Sequence, residues 1–563
     1  MRRAINDVLC TWATRHPVPR YSEGTKSTPM PHEYDGIILG TGHNALVLQA
    51  YMARSGLRVL AVDRAPVPGG GLATLENPRV PGFRHNTHSF FHRALTATPW
   101  YRDLELERHG ARYIEPELNI ALILPDGRAL EWWTNFEKTV ESFGEFSKKD
   151  AASLRRWVEE FRPIVERILI PESQSPPLPP DERRELLGRS SLGRRLLEVA
   201  ALSPLEFVVR EFEHDVVRAG LLFFNGLREI DLRLAGFGHS IPALLAGRHL
   251  AQMCQGGSAN LAQALVKDIR EHGSEVLTGV EIERILVRGG RVTGIRLAGG
   301  ETIGAKAFVA SGLNPQQTFL QMLGADAVRA EIRDKAAGFQ YNTLAPLFAL
   351  NLALDEPPLF SAADERPELN RAFMVILGLE RFAQFHDIVA AHERGEIPET
   401  VMWGACPTLF DAGQAPPGKH TAFMWEKVPY ALRGSPSNWE AEKETHGNTL
   451  FNVLAGFAPN LRQQVVIDSF VRSPVDTERD FPNMKFGDLL VGSFANNQMG
   501  SNRPFPGAGG YRTPVEGLYL CGGSTHPGGN ITGLCGYNAA RVLASDLGLP
   551  VWWNPPQLSY ESI

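Results

Sequence analysis

Between Tyr34 and Asp63 the chain carries a succession of elements that few folds accommodate. Tyr34–Leu39 is a short, partly apolar run that reads as a buried parallel strand. It ends in Gly40-Thr41-Gly42-His43-Asn44-Ala45, a G-x-G-x-x-A turn. An apolar-rich helix is expected over His43–Ser55, stopped by Gly56. A second strand, Arg58–Asp63, then closes on an acid 23 residues after Gly40. Each part has a mechanical reason. Gly40 makes the tight turn, Gly42 lets backbone approach a pyrophosphate, and Ala45 permits close helix–strand packing. The helix N-terminus offers free N–H groups and about half a positive charge to phosphates. Asp63 is placed to accept hydrogen bonds from a ribose diol.

The turn alone does not separate NAD from FAD. Directly after the acid come Arg64 and then Gly69-Gly70-Gly71-Leu72, where a plain dehydrogenase would continue its helix–strand alternation. Three more glycines bring more backbone against the ligand, as a longer cofactor with a ring system requires.

Two later stretches return to the nucleotide. Ser258 opens a helix stopped by Gly273. The strand Glu275–Thr278 follows, then a hairpin of Glu281–Arg288 and Arg291–Leu297 turning at Gly289-Gly290, and a strand Lys306–Ala310 that ends at Ser311-Gly312. Around Val280 such a meander can supply backbone to an adenine; read by itself, it is an ordinary hairpin. Near the C-terminus the strand Gly517–Cys521 runs into Gly522-Gly523-Ser524-Thr525-His526-Pro527-Gly528-Gly529-Asn530, followed by a helix expected over Ile531–Leu547. Strand, glycine loop and helix N-terminus again face an anion. Two such turns near opposite chain ends point to one extended dinucleotide held from both sides.

Composition narrows the rest. The 563 residues hold 57 Lys+Arg against 63 Asp+Glu, with 43% hydrophobic and 21% charged residues. This is ordinary globular material, and its mild acidity without basic runs argues against nucleic-acid binding. No stretch reaches the ~18 uninterrupted apolar residues of a membrane span. Five cysteines without a C-x-x-C pair exclude a disulfide scaffold or a cysteine zinc site, and suit a reducing, cytoplasmic compartment; peripheral membrane contact stays open. Residues 1–30, with Arg2, Arg3, Arg15, Arg20 and Lys26, read as a disordered or extra N-terminal tail rather than a transit peptide.

Taken together, these glycine stretches resemble the FAD-dependent amine-oxidase-like superfamily, in its phytoene desaturase branch. The closest look is to bacterial β-carotene ketolase-like and pyridine-nucleotide-disulfide-oxidoreductase-domain-2-like members. Gly40–Ala45, Gly69–Thr74, Pro81–His85, Gly256–Leu265, Asn497–Gly500, Asn502-Arg503-Pro504 and Tyr511–Ala540 carry the resemblance. There are departures: Ala45 stands where a third glycine is usual, Asp63 where Glu is common, and Gly71-Leu72 where many relatives carry Arg. Arg64 or Arg84 is then the available cation. The resemblance implies an α/β fold, a Rossmann-like FAD-binding domain of the p-hydroxybenzoate hydroxylase/amine-oxidase type interleaved with an α+β substrate domain. The expected segments are 31–145, 246–330 and 485–563 for FAD, and 146–245 and 331–484 for substrate. It further implies non-covalent FAD and hydride transfer.

On the substrate side, Ser147 and Asp150 cap a helix bearing Leu154, Trp157, Val158, Phe161, Val165 and Ile168, with a kink at Pro163. The five prolines from Pro171 to Pro180 read as a stiff connector or exposed loop. The apolar run Val216–Leu227 reads as a tunnel wall, a membrane-dipping lip or a buried core helix. Leu344–Leu354 is a strand flooring the substrate cavity, with Phe423 or Trp425 beside it. The catalytic candidates are His88, from the cluster His85–His92, and His526. The H-x-x-H-x-x-x-H spacing lacks carboxylate support, so no metal is expected. The expected activity is dehydrogenation of an apolar, unsaturated (carotenoid- or terpenoid-like) small molecule by hydride transfer, with oxygen or a quinone as acceptor. A redox-neutral flavin isomerase or hydratase, and a non-catalytic flavin-stabilised binding protein, are the alternatives; oligomeric state is left open.

Overall fold

The computed structural model describes residues 33–225, 231–247, 251–324, 327–344, 346–495, 497–558 and 560. The expected tail, 1–30, lies outside them, as does the end of the apolar run at 226–227.

The opening motif folds as its pattern demands. Strand β1 (Glu33–Leu39) leads through the glycine turn into helix α1 (His43–Arg54), and strand β2 (Val59–Asp63) returns parallel to β1. Both strands are almost wholly buried, which is why they read as continuous apolar runs. The sheet has seven strands. Its path runs Ile282–Arg288, Arg291–Leu297, Thr302–Ser311, β1, β2, Glu275–Thr278, with Leu518–Leu520 lying parallel to the end of Thr302–Ser311. Segments from the start, middle and end of the chain thus share one sheet. The strand Thr302–Ser311 is longer than its apolar stretch predicts. Its first half pairs with the hairpin and its second half with β1 and Leu518–Leu520, so polar Thr302 and Lys306 are carried along.

A second seven-stranded sheet runs Val466–Arg472, Leu347–Leu354, His420–Lys427, Met402–Ala405, Met374–Leu377, Leu118–Ile123, Ala129–Trp133. The last two strands were expected in the first nucleotide segment, 31–145; they pair instead with Met374–Leu377 and with each other. Both are buried along their whole length, and a fully buried strand carries no mark of which sheet it joins.

Helices from Phe136 to Ala246 cover one face of this sheet. Ser147 caps the helix Lys148–Ile164 by accepting from the Asp150 N–H at 3.1 Å. In place of a sharp kink, Pro163 is followed by a widened π-turn, Val165–Leu169. The expected connector from Pro171 is partly helical, with Ile170–Ser173 and Pro180–Gly188 flanking a short loop. The helix Asp215–Asn225 buries Val217, Leu221 and Leu222 in the same apolar core as Trp157 and Phe207, so this part of the run is core rather than a surface lip. Among the described residues no helix is long and apolar enough to cross a membrane.

The C-terminal helix, Leu534–Asp546, starts three residues later than its pattern predicts, because Gly533 adopts φ +68 and ends the loop there. This helix crosses α1 at Gly536, where a Cβ would lie 1.9 Å from the Asn44 carbonyl oxygen. Gly536→Ala is therefore expected to destabilise the fold by the upper part of the ~1–3 kcal/mol range typical of overpacking. Urea unfolding of the cofactor-free protein checks this.

Candidate functional site

One cavity of about 440 Å³ runs along the carboxyl ends of the first sheet's parallel strands and under the second sheet. Gly40, Gly42, Asn44 and Ala45 line it from the opening turn, Asp63 and Arg64 from the end of β2, and Gly70 and Gly71 from the second glycine cluster. Gly312 comes from the end of Thr302–Ser311, and Gly522, Gly523, Gly529, Asn530 and Ile531 come from the C-terminal loop. Residues from opposite ends of the chain thereby face one volume.

Local chemistry explains the shape. The Asp63 carboxylate accepts from the Thr41 N–H at 2.7 Å, the Thr41 hydroxyl at 2.8 Å and the Ala65 N–H at 2.9 Å, which locks the first turn onto the end of β2. Gly69 is set behind the cavity, its N–H donating to the Thr41 carbonyl at 2.8 Å, and a Cβ there would meet Ala262 at 2.9 Å. Gly42 is different. A Cβ at Gly42 would meet no protein atom within 4 Å, so this open backbone is a cradle for something else. The C-terminal loop is pressed equally close: a Cβ on Gly522 would lie 2.3 Å from the Gly312 oxygen, and one on Gly529 2.1 Å from the Leu490 oxygen.

Several predicted residues serve this frame without lining the cavity. Leu72 is buried behind it. The Val280 N–H donates to the Asp63 carbonyl at 3.0 Å, which ties the meander to β2. The Ser311 hydroxyl is bonded to Thr318 at 2.7 Å. Arg64 lines the cavity whereas Arg84 is exposed on the short strand Arg84–Asn86, so of these two Arg64 is the one at the cavity.

His526 is also behind the wall. Its Nε2 donates to the Glu172 carbonyl at 3.0 Å, while Asn538 donates to the Ser173 carbonyl at 3.0 Å. The Glu172 carboxylate in turn takes Arg183 and the Tyr560 hydroxyl. The Thr-His-Pro stretch therefore latches the helical layer to the glycine loop, which corrects its expected catalytic role. His88 does line the cavity. Its Nδ1 lies 2.8 Å from the Thr87 hydroxyl, its ring packs edge-on against Phe481, and burial holds its pKa well below the usual range, with the Arg472 charge adding to the effect. Burial thus favours the neutral ring of His88, which stands on the cavity wall.

Sequence reading missed several cavity residues. His43 donates through Nε2 to the Asn530 carbonyl at 2.9 Å, joining the first turn to the last loop, and burial lowers its pKa to about 4. Asp480–Met484 and Leu489–Val491 line the cavity from loops with no recognisable motif. Asn483 holds the first of these by accepting from the Asn314 N–H. Buried Asp488 holds the second, accepting from the Asn342, Leu490 and Gly492 N–H groups at 2.9 Å each. Lys427, only 5% exposed, lines the cavity beside Leu347 and Trp425. Phe423, the other expected lining residue, lies one ring deeper, 4.4 Å from Trp425. Among the described residues no group of three or more His, Cys, Asp or Glu is placed to hold a metal ion.

Three buried polar atoms on the cavity wall, Asn44 Oδ1, Ser89 Oγ and Gln317 Oε1, have no protein partner. An unsatisfied buried polar atom costs about 1–3 kcal/mol, so such atoms call for a polar ligand or water. Together with the Gly42 cradle and the Asp63 carboxylate, they fit a dinucleotide.

A Rossmann sheet whose cavity is roofed by a second, mixed sheet defines a dinucleotide-dependent oxidoreductase. A family model described as an NAD(P)-binding Rossmann-like domain matches residues 38–104. The chain is 31% identical over 540 residues to a limonene dehydrogenase component from Castellaniella defragrans, covering 93% of this chain and 96% of that protein. It is 24% identical over 561 residues to an all-trans-ζ-carotene desaturase of Myxococcus xanthus, covering 93% and 97%. Cyclohexylamine oxidase from Brevibacterium oxydans has the same fold at 15% identity and a TM-score of 0.56, covering 92% and 99%. The chain belongs to the phytoene desaturase-like branch of the FAD-dependent amine-oxidase-like superfamily.

The buried histidines set the acid response. Burial lowers the pKa of His43, His85 and His526 to about 4 and that of His92 to about 3, against about 6.5 in the unfolded chain. Between those values the unfolded state binds protons that the folded state refuses, so stability falls as pH drops. The melting temperature is expected to be flat above pH ~7 and to fall progressively from pH ~6.5 to ~4. Scanning calorimetry across that range checks this.

Proposed function

We propose that the cavity holds FAD and that the protein dehydrogenates a neutral, apolar, unsaturated small molecule, passing the electrons on to oxygen or a quinone. The observation that carries the reading is one cavity with two characters. It has a carboxylate and open glycine backbone at one end and aromatic rings at the other. In this reading Asp63 holds the ribose, Gly42, Gly70 and Gly71 with Arg64 face the pyrophosphate, and Gly522, Gly523, Gly529, Asn530 and Ile531 surround the ring system. FAD supplies hydride acceptance when bound; the chain supplies placement. Phe90, Phe91, Leu347 and Trp425 exclude water from the substrate end. The ring faces of Phe90 and Trp425 are suited to the positive charge that builds on a hydrocarbon losing hydride. His88, which burial favours in its neutral form, also lines the cavity, and Lys427 brings an amine beside Leu347 and Trp425. Of the two relatives compared by sequence, one is named for limonene and the other for a carotene, both apolar and unsaturated, which supports this substrate class.

The visible spectrum tests the reading. Purified protein supplied with FAD is expected to retain a flavin spectrum after gel filtration, and anaerobic addition of an apolar extract of the host cell to bleach it. No retained flavin would overturn the assignment. Gly42→Ala separates cofactor from fold. It has φ −62 and free space, so unfolding should be unchanged, while FAD affinity falls at least about tenfold, roughly 1.4 kcal/mol. Titration of the cofactor-free protein reads that loss.

A further inference from the structure

A second, open cleft of about 1030 Å³ lies on the far side of an aromatic partition from the cavity. Phe410 forms part of its lining, and Phe90 and Phe91 line the cavity. Between them stands Phe373, fully buried, with ring centroids 5.4 Å from Phe410, 4.5 Å from Phe90 and 5.5 Å from Phe91. Three rings thus stand in line from cleft to cavity, Phe410, Phe373 and Phe90 or Phe91, and the outer members Phe91 and Phe410 are only partly buried. On the cavity's other side, Asp63, Gly40–Asn44 and Gly70–Gly71 are the places a dinucleotide would fill, which closes that approach to substrate.

We propose that this cleft is the substrate entrance and that Phe410 and Phe373 form its gate, swinging aside to join the cleft to the cavity. The inference rests on the function proposed above. The cleft also selects by charge. Seven glutamates, among them Glu117, Glu131 and Glu368, line it against Lys138, Arg366 and Arg371. Arg366 is bound to Glu131 and Glu145, which leaves the rim negative. A negative rim lowers the local concentration of anions, so the entrance admits neutral apolar molecules, hydrocarbons or alcohols, and turns away fatty-acid-like carboxylates.

The test uses FAD-loaded protein with its flavin photoreduced, so that no substrate need be known. Decyl-benzoquinone, a neutral apolar oxidant, takes two electrons and two protons from the reduced flavin and becomes the hydroquinone. Ferricyanide, a polar one-electron oxidant, serves as control. Phe410→Ala should speed reoxidation by the quinone and Phe410→Trp should slow it, each by about tenfold, while ferricyanide rates hold within about twofold; tenfold is ~1.4 kcal/mol on a barrier. The native protein should react more slowly with the same quinone carrying a terminal carboxylate. A crystal of Phe410→Ala soaked with decyl-benzoquinone should show the tail between Phe91 and Phe373. Opposite effects of the two variants on quinone alone support the gate. No change, or equal change with both oxidants, overturns it, and flavin retention equal to native shows that the variants have folded. Failure of the native protein to retain FAD is a separate result, and it overturns the underlying function.

Discussion

The site depends on backbone touching backbone. Gly522 lies against Gly312, Gly529 against Leu490 and Gly536 against Asn44, at separations no Cβ could occupy. These contacts bring the first βα turn, the middle meander and the last helix together, and the cavity is the space they leave. Side chains add the locks. Arg503, wholly buried, donates to the carbonyls of Ser493, Gly492 and Gly523 at 2.9, 3.2 and 3.0 Å. Burial draws its pKa down only to about 10, so it stays charged at neutral pH. A buried charge is costly to desolvate, and here the ring of carbonyl oxygens offsets the cost while fixing the loop that presents Leu490 to Gly529.

Much of this frame is written locally. The βαβ unit, its closing acid and the two glycine clusters follow from period, turn chemistry and spacing, because each needs only neighbours in sequence. The C-terminal loop is equally plain, although its helix begins at Leu534 rather than Ile531. Asn502-Arg503-Pro504 is visible as a motif, but its task is not. Nothing in three residues shows that the guanidinium will be enclosed by carbonyls from Val491 to Gly523. The strands Leu118–Ile123 and Ala129–Trp133 show the same limit from the other direction: their apolar character is evident, and their sheet is chosen by Met374–Leu377, some 250 residues away.

His526 misleads in sequence for a related reason. A histidine beside glycines looks reactive in sequence, yet His526 spends its ring on Glu172 and the cohesion of two layers. His43, with no motif of its own beyond filling an unspecified position in the turn, is the imidazole that reaches across to Asn530. Which of two histidines faces a cavity is decided by the packing of distant elements, and packing has no short-range signature.

Burial also decides what kind of chemistry the cavity favours. The same desolvation that excludes water favours the neutral forms of His43 and His88, so the ionisable groups left on the wall are side chains such as Asp63, Arg64 and Lys427. A reaction needing a strong general base would be poorly served by His43, since a base with a pKa near 4 gives little driving force for proton removal. Hydride departure from an apolar skeleton asks for something else: a dry volume, a fixed orientation and diffuse negative density beside the developing cation. Phe90 and Trp425 supply that density from the cavity wall, with Phe423 packed behind them at ring centroids 5.2 and 4.4 Å away. The neutral forms of the two histidines and the dryness of that aromatic wall thus share one physical cause, burial beneath the second sheet.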